Sequence, residues 1–300
     1  MSPRNILISV VIPTYNYAHY LTRVLDSITS QVMENIEVIV VDDGSTDGTL
    51  ELLRQYASRW PVVDVVTQSN AGAGAARNAG IRRARGEYIL PLDADDELTP
   101  TALAAFKEAV SSRPELDVVL GGHISVGPDG KEKSRMPAAV LAMPEYAMAR
   151  QYLLEKRIAI SHSCTLFRRA CLLARPYPEN LKAGEDIPVF AYVLVSGQVG
   201  TIAQPIARIH RHSDSLRNTR DEERTALAIV EEVFATLPAP CQPLRCRYKA
   251  QRYLSLFRNS ILAKDWAGAR RYYWLAFRLS PAQALRWDYF KKLSRIVFRR

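Results

Sequence analysis

Three aspartates lie within four residues of one another: Asp93, Asp95 and Asp96. The apolar segment Tyr88–Leu90 precedes them, which predicts a buried strand with the acids at its carboxyl end. Carboxylates this close repel one another unless a cation or water compensates their charge. Because ligands bind at the carboxyl ends of strands in open α/β sheets, one interpretation is a divalent cation that carries a phosphorylated ligand. The alternative is a solvated turn that caps the next helix.

The elements that must position these acids alternate regularly along the chain. Apolar runs predict strands, and amphipathic segments between them predict helices. The predicted strands are Ile6–Ile12, Ile36–Val41, Val62–Thr67 and Tyr88–Leu92, and helices are predicted at Tyr20–Gln31 and Thr49–Ser58. This alternation predicts an α/β fold with a parallel sheet and right-handed crossovers. The polar clusters that follow the strands would then lie side by side along one rim.

The glycines after the third predicted strand, Gly72, Gly74 and Gly80, do not match the dinucleotide-binding fingerprint. That motif follows the first strand, and its third glycine comes earlier. Close packing of the helix against the sheet explains them equally well.

Further along, the pattern predicts helices at Pro100–Val110 (with Thr99 as N-cap), Pro144–Lys156 and Gly184–Val195, and strands at Asp117–Ser125, Cys164–Phe167 and Val199–Ile209.

Composition and charge exclude several classes of protein. Of 300 residues, 48% are hydrophobic, which suffices for a substantial core, and no apolar run approaches the ~20 residues of a membrane span. The N-terminus lacks signal-peptide features, and the four cysteines form no C-x-x-C pair, so we expect a cytoplasmic protein with reduced thiols. Residues 241–300 hold 15 Lys/Arg and 2 Asp/Glu, a net +13 against +9 for the whole chain. Residues 1–240 therefore sum to about −4, which argues against a nucleic-acid-binding protein.

The last part of the chain is predicted to be helical only. The predicted helices are Asp221–Thr236, Leu244–Leu262, Trp266–Leu279 and Pro281–Arg299. The last of them is amphipathic and basic, which fits docking on an anionic membrane surface. Packing of its apolar face on neighbouring helices is the alternative, and both hold if the basic face meets lipid.

Five segments together resemble family 2 glycosyltransferases of the GT-A fold. They are Ser9–Asn16, Val41–Asp47, Asn78–Gly80, Leu92–Asp96 and Glu185–Asp186, in the order and approximate spacing of that family. The resemblance covers residues 6 to about 216. It implies a Rossmann-like, mostly parallel sheet flanked by helices over residues 1–218. The helical pattern and the charge of the last part of the chain predict an all-helical, basic C-terminal region at 219–300.

The resemblance implies a nucleotide diphosphate sugar, usually a uridine one, as donor. The base pocket would be lined by Pro13, Thr14 and Tyr15, and Asp43 would accept a hydrogen bond from the base. Asp42 fits better as a structural acid in the turn, although an exchange of the two roles stays open. Arg77 would approach either the base or the phosphates, since its cationic fork suits both.

The acidic segment matches the D-x-D element of the family. In relatives, the residue matching Asp95 coordinates Mg²⁺ or Mn²⁺ and the one matching Asp93 faces the ribose, while Asp96 caps the next helix or supports a metal ligand. Hard oxygen ligands and a diphosphate suit these ions. The segment Ile209–Ser215 resembles the Tyr-Arg-x-His-x-x-Ser element, in which His212 would contact the metal or diphosphate. This sequence departs from that element at its first two positions.

Asp186 matches the general base of an inverting transfer, which deprotonates the acceptor hydroxyl without a covalent intermediate. On residue types alone, Glu185 and Asp186 are also explained as acids favoured by a helix N-terminus. The implied function is metal-dependent glycosyl transfer to a glycan or lipid-linked acceptor, in cell-surface polysaccharide or glycolipid synthesis.

Two other functions compete with this one. A nucleotidyltransferase would carry a Gly-rich, basic loop directly after the first strand, where this chain has Pro13-Thr-Tyr-Asn. A catalytically silent scaffold that binds nucleotide sugars would lack some of the acids, whereas all of them are present.

Overall fold

The computed structural model describes residues 7–31, 34–140, 142–210 and 222–297. Its first half is a parallel βα arrangement in which four strands have the order β3-β2-β1-β4. The strands are β1 (Ile8–Thr14), β2 (Ile36–Asp42), β3 (Val63–Thr67) and β4 (Tyr88–Pro91), and they are linked by α1 (Ala18–Thr29), α2 (Thr49–Arg59) and α3 (Ala73–Arg83). Every residue of β1, β2 and β4 is buried, as expected of parallel strands covered on both faces.

The second half of the sheet mixes parallel and antiparallel pairs. Its strands are β5 (Glu97–Leu98), β6 (Val118–Val126), β7 (Glu132–Arg135), β8 (Thr165–Arg168) and β9 (Val199–His210), and the path continues β4-β8-β6-β9-β5 with β7 on β6. β8 is antiparallel to both β4 and β6, whereas β9 is parallel to β6. The α/β class with a helix-flanked sheet is thus confirmed, with parallel order strict only in the first four strands.

Two strands were missed by the sequence pattern. β5 is only two residues long and pairs Glu97 with Arg208 of β9, so no periodicity could reveal it. All four residues of β7 are exposed, so its pairing rests on the hairpin turn at Gly127–Gly130 and not on an apolar face.

Helices cover both faces of the sheet. Alternate side chains of β1 point to opposite faces: Ile8, Val10 and Ile12 enter one apolar cluster, and Val11 enters the other. The remaining helices of this part are α4 (Ala102–Ser112), α5 (Glu145–Arg150), α6 (Arg169–Ala174) and α7 (Asp186–Ser196), with a π-helical turn at Gln151–Glu155 that continues α5. α1 and α4 pack on the first face, and α3 and α7 pack on the second.

Gly80 explains how closely α3 approaches the sheet. A Cβ built at Gly80 would lie 2.4 Å from Cγ1 of Val11 and 3.2 Å from Cγ2 of Val41, too close for any side chain without movement of the sheet. The structure therefore supports the expected role of this glycine in close packing of the helix against the sheet.

The C-terminal part is all-helical, with α8 (Glu223–Thr236), α9 (Arg245–Leu262), α10 (Trp266–Leu279), α11 (Pro281–Ala284) and α12 (Trp287–Val297). The prediction of a single helix over Pro281–Arg299 is wrong, because the helix is interrupted between α11 and α12. Next to this break, the Tyr273 hydroxyl donates to the carbonyl oxygen of Ala284 at 3.1 Å.

One apolar cluster joins the helical part to the rest of the chain. It combines Ala149 of α5, Ala191 of α7, Ile229 and Val233 of α8, and Tyr248 of α9. The expected boundary at residues 218/219 falls within 211–221, outside the described residues, and stays a prediction. Across the ranges that the structure describes, no helix has the length and hydropathy that crossing a bilayer requires.

Candidate active site

The polar clusters after the strands do meet at one rim. Thr14, Asp42 and Thr67 are aligned at the ends of β1, β2 and β3, and the Asp43 amide donates to the Thr14 carbonyl at 2.9 Å. The parallel register carries all three chain segments out of the sheet at the same level. This is the edge at which the acidic segment after β4 also emerges, because β4 pairs in parallel with β1.

The expected base-pocket residues differ in accessibility. Pro13 and Thr14 are buried within the end of β1, whereas Tyr15 is 43% exposed and is the member that can present a face to a ligand. Asn16 adopts a left-handed conformation at φ 56° and accepts a hydrogen bond from the Thr46 amide at 2.7 Å. This contact holds the segment after β1 against the turn that follows β2.

Asp43 is buried, and its carboxylate holds the loop before α3. One oxygen accepts from Gln68 Nε2 at 2.7 Å and from the Ala71 amide at 2.9 Å, and the other accepts from the Gly72 amide at 2.8 Å. Gly72 has φ 94°, a conformation that favours glycine. Three of about four acceptor positions of this carboxylate are thus occupied. Asp42 accepts from the Ser45 amide at 3.1 Å, which is the structural role expected of it.

Arg77 lies between two carboxylates that are distant in the sequence. Its Nη2 donates to Asp93 and its Nη1 donates to Glu185, each at 2.8 Å. The Arg77 guanidinium also lies 5.6 Å from the centre of the Tyr177 ring. Although burial acts to lower the pKa of Arg77, the two carboxylates raise it above its ordinary value, so the group stays charged.

The three acids that follow β4 have different surroundings. Asp93 and Asp95 are half-buried, and Asp93 pairs with Arg77 while the backbone carbonyl of Asp95 accepts from Arg23 at 3.0 Å. Asp96 is buried and accepts from the Ser163 hydroxyl at 2.6 Å. Burial and the nearby Asp93 and Asp95 raise the pKa of Asp96 well above its usual range.

The expectation that Asp96 caps the next helix is wrong. α4 begins at Ala102 with Thr101 before it, and the other Asp96 oxygen accepts from the His210 amide at 3.2 Å. The expected N-cap, Thr99, instead donates its hydroxyl hydrogen to the carbonyl of Pro205 at 2.8 Å. Both side chains connect the acidic segment to β9 because β5 inserts between β4 and α4.

Asp186 occupies the first turn of α7, directly after Glu185. Burial raises the pKa of Asp186 to about 6, the Glu185 carboxylate adds to this rise, and the Arg77 guanidinium opposes it. A carboxylate with this pKa is ionised at neutral pH and is a stronger base than an ordinary aspartate. These are the properties required of a general base.

Several residues at the site were not found from the sequence. Asn78 binds the segment before α7: its amide nitrogen donates to the Tyr177 carbonyl at 2.9 Å, and its amide oxygen accepts from the Tyr177 amide at 2.9 Å. His162 lies 3.8 Å from Asp93 and packs on the rings of Tyr177 and Phe190. Asn78 stood in a matching segment without an assigned role, whereas His162 and Tyr177 lie outside all five segments, so no sequence signal pointed to them.

The residues present fit a divalent cation only in part. Within the described residues, no three His, Cys, Asp or Glu side chains come together as a ready-made metal site. Magnesium-type ions that bind a diphosphate typically take one or two carboxylates and complete their coordination with phosphate oxygens and water. Asp95, half-buried and beside Asp93, fits such a site. His212 lies outside the described residues, and His210 contacts Glu97 through Nε2 at 2.7 Å.

Comparison with known proteins decides the family. The model of Glycosyl transferase family 2 matches residues 9–173, more than half of the chain. The chain belongs to glycosyl transferase family 2. The resemblance inferred from the five segments is thereby confirmed.

Among curated relatives, a chondroitin synthase of Pasteurella multocida is 29% identical over 229 residues, which are 75% of this chain and 23% of that protein. The chain thus spans only about a quarter of that relative's length. Among solved structures, Staphylococcus aureus TarS 1–349 in complex with UDP-GlcNAc has a TM-score of 0.70 at 20% identity, covering 93% of this chain and 83% of the other. A mannosyltransferase of Pyrobaculum calidifontis in complex with GDP-Man and Mn²⁺ has a TM-score of 0.59 at 20% identity. This match covers 98% of the family 2 chain described here and 84% of the mannosyltransferase chain. These structures confirm the GT-A fold.

Proposed function

We propose that the protein is a metal-dependent, inverting glycosyltransferase that moves a sugar from a nucleotide diphosphate sugar to an acceptor hydroxyl. The observation that carries the proposal is a buried network that connects the candidate base to the candidate donor site. Asp186 follows Glu185, Glu185 pairs with Arg77, and Arg77 pairs with Asp93 two residues before Asp95.

In the proposed reaction, Asp186 accepts the proton of the acceptor hydroxyl on a carboxylate oxygen. The acceptor oxygen forms its bond to the anomeric carbon while the bond from that carbon to the diphosphate breaks, so the configuration inverts and no covalent intermediate arises. The pKa of about 6 leaves Asp186 ionised at pH 7 and basic enough to hold the proton once transfer has begun.

The metal would be Mn²⁺ or Mg²⁺, held by Asp95 and His212, and it would neutralise negative charge that develops on the departing diphosphate. Support comes from the half-buried Asp95 carboxylate and from the Mn²⁺ complex of the mannosyltransferase that shares the fold.

The donor is proposed to be UDP-linked. Tyr15 offers an exposed ring for stacking on a base, Pro13 and Thr14 form the floor beside it, and Asp43 retains one acceptor position for the base. The UDP-GlcNAc complex of TarS, which has the same fold, supports a uridine nucleotide. Asp93 would face the ribose, and Arg77 would lie behind it.

The acceptor is proposed to be a glycan or a lipid-linked sugar in cell-surface polysaccharide or glycolipid synthesis. The name of the chondroitin synthase relative supports a polysaccharide product. The protein would act in the cytoplasm, with its C-terminal helices on the inner face of the membrane.

The exposed side of the C-terminal helices supports this location. Tyr289 and Leu293 of α12 pack inward, whereas Trp287 is 70% and Phe290 is 47% exposed next to the exposed Lys291. Tryptophan together with basic residues suits the headgroup region of an anionic membrane, where each Lys or Arg contributes about 1 kcal/mol.

Vesicle flotation tests the membrane docking. Vesicles with anionic lipid should bind the protein at low salt and release it as salt rises, and neutral vesicles should not bind it. Deletion of residues 281–300 should abolish binding. Salt-insensitive binding, or binding that survives the deletion, would contradict the proposal.

The proposed activity is tested by a screen of nucleotide sugars with Mn²⁺, Mg²⁺ or EDTA, first by thermal shift and then by turnover. A donor should raise the melting temperature, because a ligand that binds only the folded state stabilises it. Turnover should release a nucleoside diphosphate and should require the metal. D186N should retain donor binding and lose transfer, whereas D129N, at an exposed acid in the β6–β7 hairpin, should remain fully active.

The same screen separates the competing functions. For this purpose the screen also includes a nucleoside triphosphate together with a sugar 1-phosphate, and release of pyrophosphate from that pair would indicate a nucleotidyltransferase. Binding of a donor without turnover would indicate a silent scaffold, and turnover unaffected by D186N would overturn the assignment of the base.

A further inference from the structure

Arg77 forms a bridge between two parts of the site that the chain connects only over long distances. Asp93 is 16 residues away in the sequence and Glu185 is 108 residues away, yet each accepts from a different terminal nitrogen of Arg77 at 2.8 Å. The Arg77 side chain is only 7% exposed, and the Glu185 side chain is 13% exposed. The bond to Glu185 thus lies inside the protein, whereas the bond to Asp93, whose side chain is 26% exposed, lies where the buried network meets the site.

This environment is poorly suited to binding a diphosphate. Two carboxylates already balance the single positive charge of Arg77, so little net attraction remains for an anionic ligand. A phosphate would have to displace a carboxylate from a buried ion pair, which is costly because it leaves that charge unpaired.

The two ion pairs of Arg77 restrict the position of the candidate base, Asp186. Asp93 belongs to the acidic segment after β4, and Glu185 is the residue from which α7 begins. A rigid cationic fork between them fixes the distance from the acidic segment to the first turn of α7, where Asp186 lies. The Tyr177 ring packs against the guanidinium and restricts Arg77 further. Tyr177 is in turn held by a hydrogen bond from Asn78 to its carbonyl oxygen.

We propose that Arg77 is a positioning residue that couples the donor-binding acids to the catalytic base, and that it is not a ligand of the donor phosphates. The proposal rests on the proposed function, because it takes Asp186 as the base. Arg77 would hold Asp186 at a fixed place relative to Asp93 whether or not a nucleotide is bound.

The coupling has a measurable electrostatic sign. The groups around Asp186 come from five parts of the chain: Glu185 at the start of α7, Arg77 from α3, Asp93 from the segment after β4, and the phenols of Tyr152 after α5 and Tyr177 before α7. The positive charge of Arg77 favours the ionised form of Asp186, and the negative charge of Glu185 disfavours it. Removing one or the other should therefore shift the activity of the enzyme in opposite directions along the pH axis.

The test compares R77M, E185Q and R77K with the wild-type protein by the pH dependence of kcat/KM and by calorimetric titration with UDP and Mn²⁺. In R77M the acidic limb of the profile should move up by at least half a pH unit, and in E185Q it should move down. The dissociation constant for UDP should stay within about threefold of wild type in both. R77K keeps the charge but cannot bridge both acids, so its limb should stay in place while its kcat falls at least tenfold.

Two results would overturn the proposal. A tenfold or greater weakening of UDP binding in R77M with an unmoved limb would make Arg77 a phosphate ligand. Unmoved limbs in both R77M and E185Q would leave only a general structural role. Should R77M fail to fold, a lowered limb in E185Q together with an unmoved limb and a reduced kcat in R77K still decides the question.

The outcome can be distinguished from failure of the proposed function. If wild type transfers no sugar from any donor, Asp186 is not assigned as the base. The interaction of Arg77 with Glu185 is then tested by measuring the unfolding midpoints of the variants. The midpoint shifts of R77M, E185Q and R77M/E185Q should be clearly non-additive if the two side chains interact as described. Additive shifts would contradict the bridge itself.

Discussion

At the scale of single residues, the site depends on what surrounds each carboxylate. Asp43 accepts three hydrogen bonds from one loop, Asp96 is buried under Ser163, and Asp186 lies beside Glu185 with Arg77 opposite. The same residue type therefore serves as a loop anchor, as a buried link to β9 and as a candidate base. Burial and neighbouring charge decide which of these roles an aspartate takes.

The raised pKa of Asp186 predicts the pH dependence of transfer. Because the base must be ionised, kcat/KM should fall about tenfold per pH unit as the pH drops below about 6. D186N should lose about 10²–10⁴-fold in kcat at every pH, as expected when a general base is removed. Steady-state rates between pH 4.5 and 8.5 measure both effects, and wild-type activity that stays level down to pH 4.5 would contradict them.

The same shift predicts that Asp186 weakens the folded state. A carboxyl whose pKa is raised on folding contributes stability at pH values below its unfolded pKa, and that contribution is lost as the pH rises through about 6. D186N should therefore unfold at a higher urea concentration than wild type at pH 8, and its free energy of unfolding should be higher by at most about 3 kcal/mol. The difference should shrink as the pH falls from 6 towards 4. A destabilised D186N at pH 8 would show that burial does not oppose the charge.

At the scale of elements, α3 is the helix that organises the site. Gly80 lets it lie directly on β1 and β2, Arg77 reaches two acids from it, and Asn78 ties it to Tyr177. These three residues lie within four positions, so a single turn of α3 packs on the sheet and holds both sides of the network. Small residues on the sheet side are what permit that proximity.

Removal of the Asn78 side chain tests this arrangement. N78A should lose about 2–4 kcal/mol of unfolding free energy, because the amide and carbonyl of Tyr177 would be left buried without their partners. The matched control is N180A, since Asn180 makes one exposed contact with Glu232 and should change stability by less than about 0.5 kcal/mol. Equal effects of the two variants in urea unfolding would contradict the role given to Asn78.

At the scale of the whole molecule, the helical region and the sheet domain share a core. Ala149 and Ala191 of the sheet domain pack in one cluster with Ile229 and Val233 of α8. The charge is nevertheless divided, with a net +13 in residues 241–300 and about −4 before them. The shared core makes α8 part of the catalytic unit, while the positive charge lies in the helices beyond it.

Truncations at two positions test this division. Removal of residues 223–300 should expose the shared cluster and lower the melting temperature by more than about 10 °C or prevent folding, because several buried apolar side chains lose their partners. Removal of residues 281–300 should leave the melting temperature within about 4 °C and UDP binding unchanged. Scanning calorimetry and titration measure both, and a stable protein that ends at residue 222 would contradict the shared core.

The sequence by itself determined the first four strands, the acids at their ends and the family. These features are local: apolar runs are periodic, and five short segments keep their order and spacing. The bounds of α10 were predicted to the residue, because Asp265 caps its first turn by accepting from the Gly268 amide at 2.9 Å and the following turns are strongly amphipathic. The break between α11 and α12 escaped prediction because the apolar pattern continues through it, and the contact that Tyr273 makes beside it comes from another helix.

The tertiary structure alone decided what the three acids after β4 do. Their chemistry depends on Arg77, Ser163 and Glu185. The hydrogen bonds Arg77–Asp93, Ser163–Asp96 and Arg77–Glu185 join residues that are 16, 67 and 108 positions apart in the sequence. No local pattern encodes such contacts, since they arise only when the sheet brings α3, α7 and the acidic segment to one rim. A cluster of like charges in the sequence is thereby resolved into one acid paired with arginine, one half-buried acid suited to a cation, and one buried acid bound to a serine.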